Sequence, residues 1–443
     1  MDPRRAAFQV LRDLEEGPAH LDTILARRLG KAPARERAFA SNLVFSVLRN
    51  REYLDHLLAA FLDRPPHKLD RPVLAVLRLG AAETALMATP DHAVVDSAVE
   101  LAKATPARRG RKLVNAVLRQ VVAGWQKVPL PPAGKDPAPR LAVEYSHPVW
   151  LIRELLAQWP RDEVLAWLEA DQQQPPLTLR TNLSRITRAE LTGRLDGQAE
   201  AVQAHPLVPE ALMLRRPEGP AAKLPGFAQG LFSIQDAAAQ AMGHLLGVAA
   251  GMAVADLCAG TGGKTSHLAA LMNGKGRLLA VDPSPGRVTA LKANLARLKI
   301  KGVEVRQGDA RQLVGVTGVL DRVLVDAPCT GLGVAGRRPD VRWRRNAGDP
   351  ERLAGLQLEL AAKGADLLKP GGAMLYCTCT VTRAENQGVV AELLAQRPEL
   401  RIEWPGDLAA PLKAHIGEDG FFRTLPHKDD ADAFFAARLV RKD

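Results

Sequence analysis

The sequence predicts three domains: an all-helical first domain, a small α+β middle domain, and a C-terminal α/β domain. Three observations in the 443-residue chain support this division. Apolar residues recur at helical spacing up to about residue 127, and five prolines between 129 and 139 then mark a linker. From about residue 231, strand-like runs alternate with helices, as in a doubly wound, mostly parallel sheet. We therefore place the domains at residues 1–135, 140–230 and 231–443.

Each domain has its predicted elements. In the first domain, helices are expected at 6–14, 21–29, 37–62, 72–86, 94–104 and 112–122. The middle domain has predicted helices at 148–156 and 161–169 and a strand at 177–183. In the third domain, strands are expected at 253–257, 277–281, 303–307, 322–325 and 372–380, with helices at 264–272, 285–298, 351–368 and 384–395. The run 433–440 predicts a final antiparallel edge strand.

Charge and composition point to a polyanionic partner. The formal net charge is +11, and residues 101–130 contain no acidic side chain. Within that stretch lies a basic patch, defined as Arg108, Arg109, Arg111 and Lys112. Such a patch predicts phosphate contacts, although a merely solvated helix surface and a generally arginine-rich composition are the alternatives.

The sequence also predicts where the protein resides. It has no run of about 18 apolar residues and no signal-peptide pattern at its start. Only four cysteines occur, which argues against a disulfide scaffold. We expect a cytoplasmic protein that does not enter the membrane.

A glycine-rich loop and two aspartates predict a nucleoside cofactor. The loop joins a strand to a helix and comprises Cys258, Ala259, Gly260, Thr261, Gly262, Gly263 and Lys264. A phosphate loop of an NTPase is the alternative, but that motif requires glycine where Cys258 stands. Asp282 and Asp309 end the next two predicted strands, where carboxylates suit a ribose and an adenine. S-adenosylmethionine fits this set best, and the alternative is that both are only turn aspartates.

Two cysteines end predicted strands in the same domain. Cys329 closes the run 320–329, and Cys379 lies near the end of 372–380. Ligands bind at the carboxyl ends of parallel strands, so both thiols are placed for chemistry. This placement indicates covalent catalysis.

With these motifs together, the chain resembles the Sun-type RNA cytosine-5 methyltransferases. The most specific segments are Asp-Ala-Pro-Cys-Thr-Gly-Leu-Gly at 326–333 and Tyr-Cys-Thr-Cys-Thr at 376–380, followed by Glu385 and Asn386. The resemblance implies a NusB-like RNA-binding N-terminal domain and a Rossmann-like methyltransferase domain. It further implies methylation of carbon 5 of a cytosine in small-subunit ribosomal RNA.

Residue roles are likewise implied by the resemblance. Cys379 would be the nucleophile that attacks carbon 6 of cytosine, and Cys329 would assist proton removal and release. Asp326, like the loop, Asp282 and Asp309, would hold S-adenosylmethionine, although a contact with cytosine is equally open for Asp326. Two departures from the family pattern occur: Gly260-Thr261 replaces Ala-Pro, and Cys377 replaces the usual Ser or Ala.

Arginines around Trp343 resemble an RNA channel, in which Arg342 binds phosphate and Trp343 stacks a base. Simple packing of Trp343 is the alternative interpretation.

Other functions remain open at this point. A DNA cytosine methyltransferase would use the Pro-Cys thiol, and an amino-group methyltransferase would prefer Asp-Pro-Pro-Tyr where Asp-Ala-Pro-Cys stands at 326–329. A cytosine-5 methyltransferase acting on another RNA and a non-catalytic RNA-binding or antitermination factor are further alternatives. We expect a monomer without a metal.

Overall fold

The computed structural model describes residues 2–17, 19–87 and 89–442. The chain forms two compact units. The first comprises Met1–Arg161 together with Arg338–Asn346, and the second comprises Asp162–Arg337 and Ala347–Asp443. Across the described residues, no helix is long and apolar enough to cross a membrane.

The first unit is helical, as predicted. Its helices are α1 Pro3–Glu16, α2 Leu21–Leu29, α3 Ala34–Arg49, α4 Arg51–Ala59, α5 Arg71–Leu86, α6 Asp91–Lys103, α7 Arg111–Gly124, α8 Ala138–Glu144 and α9 Val149–Gln158. The helix α5 is buried around most of its circumference, because it packs against α1, α3, α4, α6 and α7. The prediction of one helix over 37–62 was wrong, since Asn50 has non-helical φ and ψ of −118° and 22° and separates α3 from α4.

The segment Arg338–Asn346 belongs to this helical unit. Trp343 packs against the helical core, and its Nε1 donates to the carbonyl of Leu48 at 2.7 Å. The Arg342 side chain is fully buried and donates to the carbonyl of Ser146 at 3.2 Å. The structure therefore contradicts the interpretation of Arg342 as a phosphate contact, because its side chain is fully buried. Trp343 packs within the unit, as in the alternative interpretation, but its side chain is only half-buried.

The second unit begins with a small antiparallel sheet. Its elements are α10 Arg161–Gln172, β1 Leu177–Thr181, α11 Arg188–Arg194, β2 Ala199–Ala204, β3 Ala211–Pro217 and β4 Phe232–Ile234. The strand order is β2-β3-β1-β4. Since β4 pairs with β1, this sheet extends past residue 230, where we predicted the domain boundary.

The larger sheet has the doubly wound architecture that the sequence predicted. Its strands are β5 Ala253–Asp256, β6 Arg277–Asp282, β7 Val303–Gln307, β8 Leu320–Asp326, β9 Leu368–Thr378, β10 Leu400–Ile402, β11 Phe422–Thr424 and β12 Phe434–Arg441. The helices are α12 Ala237–Leu246, α13 Gly263–Leu271, α14 Pro285–Arg297, α15 Asp349–Leu367, α16 Val389–Gln396, α17 Ala410–Lys413 and α18 Pro426–Asp429. A π-helical turn, Ala384–Gly388, leads into α16.

The order of this sheet positions the site. It runs β10-β12-β9-β8-β5-β6-β7, with β5 to β9 parallel. The strand β12 is antiparallel, as predicted, but it is not an edge strand because β10 and β11 pair with it beyond β9. The carboxyl ends of β5, β6, β8 and β9 bring the predicted site residues to one edge of the sheet.

Candidate active site

The glycine-rich loop after β5 turns tightly because two of its glycines adopt left-handed backbone. Gly260 has φ of 56° and Gly262 has φ of 87°. A Cβ on Gly262 would also lie 3.0 Å from Cγ of Leu291. The backbone N–H of Gly260 donates to Asp282 Oδ2 at 3.0 Å, which joins the loop to the end of β6. The Gly262 N–H donates to the Ala259 carbonyl at 2.9 Å, so this bond closes the turn that contains Gly260 and Thr261.

The two predicted cofactor aspartates have different surroundings. Asp282 is 3% exposed, and its Oδ1 accepts a hydrogen bond from the backbone of Ser284 at 2.9 Å. Asp309 follows β7 and forms an ion pair with Arg311 at 2.6 Å. The Arg311 hydrogen bond lowers the pKa of Asp309. Asp282 is thus fixed against the loop, whereas Asp309 already has a cationic partner.

Asp256, at the end of β5, is a site residue that we did not predict. Its carboxylate is fully buried and accepts hydrogen bonds from Thr265 Oγ1 at 2.7 Å and from the Cys258 backbone at 3.3 Å. Burial raises the pKa of Asp256 to about 6. Burial likewise raises the pKa of the Cys258 thiol. Asp256 therefore holds the glycine-rich loop and the start of α13 in place through its hydrogen bonds with Cys258 and Thr265.

Cys329 and Cys379 meet, as their strand-end positions predicted. Their Sγ atoms lie 3.5 Å apart, and neither cysteine forms a disulfide. The hydrogen bond with Cys379, together with burial, raises the pKa of Cys329. Cys329 therefore holds its proton at neutral pH.

Asp326 links a third cysteine, Cys377, to the glycine-rich loop. Its Oδ2 accepts from Lys264 Nζ at 2.7 Å, and its Oδ1 lies 3.7 Å from Cys377 Sγ. Burial raises the pKa of Cys377, so this thiol is protonated and turned toward Asp326. Lys264 thus contacts Asp326, and the sequence analysis had assigned both residues to cofactor binding.

A single buried carboxylate joins the segments that carry the two cysteines. Glu385 accepts hydrogen bonds from the backbone N–H of Thr330 at 2.8 Å and from its hydroxyl at 2.5 Å. It also accepts from the hydroxyls of Thr382 at 2.7 Å and Thr380 at 3.3 Å, and from Gln357 Nε2 at 3.0 Å. The sequence singled out Glu385 only as part of a family motif, without predicting this role.

The surroundings of Gly333 explain why the second residue of this type in the Cys-Thr-Gly-Leu-Gly segment must be a glycine. Its N–H donates to the carbonyl of Cys379 at 3.0 Å, and its carbonyl accepts from the N–H of Ala433 at 2.9 Å. A Cβ at this position would lie 2.3 Å from the Ala433 oxygen and 2.9 Å from the Cys379 oxygen. Only glycine lets the two cysteine-bearing segments approach this closely.

Arg180 of β1 contacts the first turn of α13. Its guanidinium donates to the Gly263 carbonyl at 2.6 Å and to Ser266 Oγ at 2.7 Å. Burial lowers the pKa of Arg180 to about 10, so it remains charged at neutral pH. The middle sheet therefore helps to fix the helix that follows the glycine-rich loop.

One group of potential metal ligands occurs among the described residues. Glu210 Oε1 lies 2.9 Å from His244 Nε2 and 2.6 Å from His267 Nε2. Burial lowers the pKa of His267 to about 4. Both separations are ordinary hydrogen-bond lengths, so we interpret this group as a hydrogen-bonded cluster.

The basic patch is exposed. All four of its side chains are on the surface at the start of α7 and the turn before it, as a phosphate-binding role requires.

A doubly wound sheet with a glycine-rich loop after its first parallel strand and thiols after its fourth and fifth defines a methyltransferase. Comparison with family models agrees. Residues 244–440 match "16S rRNA methyltransferase RsmB/F", residues 1–123 match the NusB family, and residues 147–220 match the RsmF/B-like ferredoxin-like domain.

Full-length relatives show the family. The chain is 33% identical over 442 residues to ribosomal RNA small subunit methyltransferase B of Cronobacter sakazakii, covering 99% of this chain and 98% of the relative. It is 32% identical to the probable enzyme of the same name from Bacillus subtilis, with the same coverage. The chain belongs to the family of ribosomal RNA small subunit methyltransferase B.

Solved structures share this fold. The crystal structure of PH0851 superposes with a TM-score of 0.85 at 25% identity, covering 99% of this chain and 98% of that one. NSun6 from Pyrococcus horikoshii with SFG gives a TM-score of 0.60 at 22% identity, covering 67% of this chain and 98% of that one.

Proposed function

We propose that the protein transfers a methyl group from S-adenosylmethionine to carbon 5 of a cytosine in small-subunit ribosomal RNA, through a covalent bond between Cys379 and the base. The 3.5 Å contact between Cys329 Sγ and Cys379 Sγ carries this proposal. Because the two thiols share one environment at the sheet edge, one can form the bond to the base while the other assists its release.

The loop residues fit the cofactor. Glycines at 260, 262 and 263 keep the turn narrow, and a Cβ on Gly263 would have no neighbouring atom within 4 Å, so this side of the loop is open. The Asp282 carboxylate is held in place by two backbone N–H groups and retains lone pairs for the two ribose hydroxyls. When bound there, S-adenosylmethionine supplies the methyl group.

The chain's own residues would act in sequence. The Cys379 thiolate adds to carbon 6 of cytosine, and the electron pair that reaches carbon 5 takes the methyl group. A water molecule then takes the carbon 5 proton, the electron pair of the broken carbon–hydrogen bond restores the carbon 5–carbon 6 double bond, and the sulfur–carbon 6 bond breaks to return the Cys379 thiolate. Cys329 holds its proton and donates a hydrogen bond to Cys379 Sγ, which stabilises the departing thiolate.

Asp326 and Lys264 suit recognition of the base. They form an ion pair at 2.7 Å next to Cys377, on the strand that leads to Cys379. A carboxylate accepts from the cytosine amino group, and an ammonium group donates to a ring nitrogen or carbonyl. We assign Asp326 to the cytosine edge and leave cofactor binding to the loop and Asp282.

The two thiols give a sharp test. Cys379→Ala is expected to abolish both methylation and any covalent RNA adduct. Cys329→Ala is expected to form the adduct and release it slowly, so that a denaturation-resistant protein–RNA complex accumulates on a gel. Cys377→Ser is the matched control and retains activity, because Cys377 contacts Asp326 and not the reacting sulfurs. Loss of the adduct in Cys329→Ala and its retention in Cys379→Ala would overturn the assignment.

A second measurement tests the substrate. Ribosomal RNA from a deletion strain is digested and mapped by mass spectrometry for 5-methylcytosine. Loss of one modified cytosine in the small-subunit RNA, restored by the wild-type gene and not by Cys379→Ala, is the expected result. A loss confined to another RNA would reject ribosomal RNA as the substrate.

A further inference from the structure

The helical unit contains a cavity of about 520 Å³ that the proposed chemistry does not use. Its walls come from α1, α3, α4, α5 and the segment Arg338–Asn346. This size lies within the usual range for small-molecule binding sites, which is about 300–1,000 Å³. The cavity therefore has room for a single nucleotide.

Two of the basic side chains in the cavity wall are already neutralised. Arg78 forms two hydrogen bonds of 2.7 Å with Asp55 and an ion pair with Glu15 at 3.4 Å. Arg344 donates to the carbonyls of Gly17 and Ala19. Both arginines stabilise the wall: carboxylates balance the charge of Arg78, and backbone carbonyls accept hydrogen bonds from Arg344.

Arg51 and Arg71 make no such short contacts, although the carboxylates of Asp55, Glu15 and Glu52 attract the charge of Arg51. Among the described residues, neither side chain makes a hydrogen bond or an ion pair, although both line the cavity. Arg51 is half-buried and lies over the Trp343 ring, with its guanidinium carbon 5.4 Å from the ring centroid. The indole is in turn fixed by its hydrogen bond to Leu48. One oriented guanidinium and one exposed guanidinium thus remain available to a ligand.

Part of the remaining wall is apolar and includes Leu14, Val47 and Leu74. The carboxylates in the wall, Glu15, Asp55 and Asp340, form ion pairs with Arg78 or Arg344. An apolar surface beside unpaired guanidinium groups matches the two halves of a nucleotide, because a base packs on apolar or guanidinium surfaces and a phosphate accepts from arginine. A double helix could not enter a cavity of this size, so the nucleotide must be unpaired.

We propose that this cavity binds one unpaired nucleotide of a single-stranded RNA segment, with its phosphate at Arg51 and Arg71 and its base against the apolar wall. The proposal rests on RNA being the substrate. It adds an RNA-binding position in the helical unit that is separate from both the cysteine pair and the basic patch.

The test uses the full chain and a fluorescently labelled single-stranded RNA of mixed sequence, about eight nucleotides long, measured by anisotropy at fixed salt. Arg51→Met keeps the length of the side chain and removes its charge. Arg71→Gln alters an exposed residue, so the fold is retained even if Arg51→Met unfolds. Arg5→Gln is the matched control, because Arg5 is an exposed arginine of α1 outside the cavity wall.

Each cavity variant is expected to weaken RNA binding about tenfold, since it removes a hydrogen bond from a charged donor. The control should change binding less than twofold. A 4-thiouridine in the same RNA should cross-link to peptides that contain Trp343 or the start of α5. Equal affinities for Arg71→Gln and Arg5→Gln, or cross-links elsewhere only, would overturn the proposal. Competition by free nucleoside monophosphates at the affinity of the RNA would also overturn it, because that result indicates a free-nucleotide site.

A result that overturns the cavity proposal can be distinguished from a result that overturns the proposed function. Methylation with saturating RNA and adduct formation at Cys379 are measured on the same preparations. Absent methylation with intact RNA binding at the cavity would reject only the proposed chemistry. Normal methylation with unchanged RNA affinity in both cavity variants would reject only the cavity.

Discussion

Glu385 should be required for the stability of the site without being required for cofactor binding. The carboxylate accepts five hydrogen bonds, two from Thr330, one each from Thr380 and Thr382, and one from Gln357. Glu385→Ala leaves the Thr330 N–H buried without an acceptor, which costs about 1–3 kcal/mol. The removal of the other bonds, partly offset by the 2.6 Å hydrogen bond between the Thr330 and Thr380 hydroxyls, brings the expected destabilisation to about 3–5 kcal/mol.

Urea unfolding followed by circular dichroism measures this change. Glu385→Gln keeps one acceptor oxygen but turns an amide toward the threonine hydroxyls, so we expect a smaller destabilisation of about 1–2 kcal/mol. Glu392→Gln is the matched control, because Glu392 is an exposed residue of α16. A Glu385→Ala variant within about 0.5 kcal/mol of this control would refute the reasoning, since surface substitutions typically fall in that range.

The same variant separates two parts of the site. The hydrogen bonds of Glu385 reach the segments after Cys329 and Cys379 and do not reach the glycine-rich loop. Calorimetric affinity for S-adenosylmethionine should therefore change less than twofold in folded Glu385→Gln, while adduct formation slows. If cofactor affinity falls as much as adduct formation does, Glu385 acts on the whole unit and not on the cysteine segments.

Three further predictions concern cofactor binding, pH and RNA. Asp282→Ala should weaken S-adenosylmethionine binding by about 1.5–3 kcal/mol, and unchanged affinity in calorimetry would reject this residue as the ribose ligand. Burial raises the pKa of Asp256 from 3.8 to about 6, so its contribution to stability is present below pH 4 and is lost as the pH rises through about 6. From pH 4 to pH 7, Asp256→Asn should therefore gain about 2 kcal/mol of stability relative to the wild type in urea unfolding, and parallel stability–pH curves for the two proteins would contradict this. Replacing the basic patch with alanine should flatten the salt dependence of RNA binding by about 0.7 for each phosphate that is no longer neutralised, and an unchanged slope would mean a solvated surface only.

The sequence predicted those parts of the site whose signal is local. The glycine-rich loop, Asp282 and the two cysteines each follow an apolar run, and a strand end can be recognised from about ten consecutive residues. The helices of the first unit were similarly predictable, because each contributes an apolar face at regular spacing. The break between α3 and α4 at Asn50 was not predictable, since asparagine is tolerated within many helices.

What the sequence missed depends on residues that are distant along the chain. Glu385 and Thr330 are 55 positions apart, and neither has a partner that periodicity could predict. The charge of Arg342 indicated exposure, but its guanidinium reaches a carbonyl 196 positions away. In the middle sheet, β2 lacks a clear alternation because its side chains are exposed or half-buried, so its pairing with β3 gave no sequence signal.

Because Arg338–Asn346 belongs to the helical unit, one cut in the chain cannot separate the two units. The polypeptide enters the second unit at Asp162, returns to the first at Arg338 and leaves it again after Asn346. A fragment that stops at Arg161 would lack Trp343 and expose the Leu48 carbonyl and the apolar residues beside it. The two units are therefore not separable at a single peptide bond, and a truncated N-terminal fragment should be less soluble than the whole chain. A fragment of this kind would report poorly on RNA binding by the intact protein.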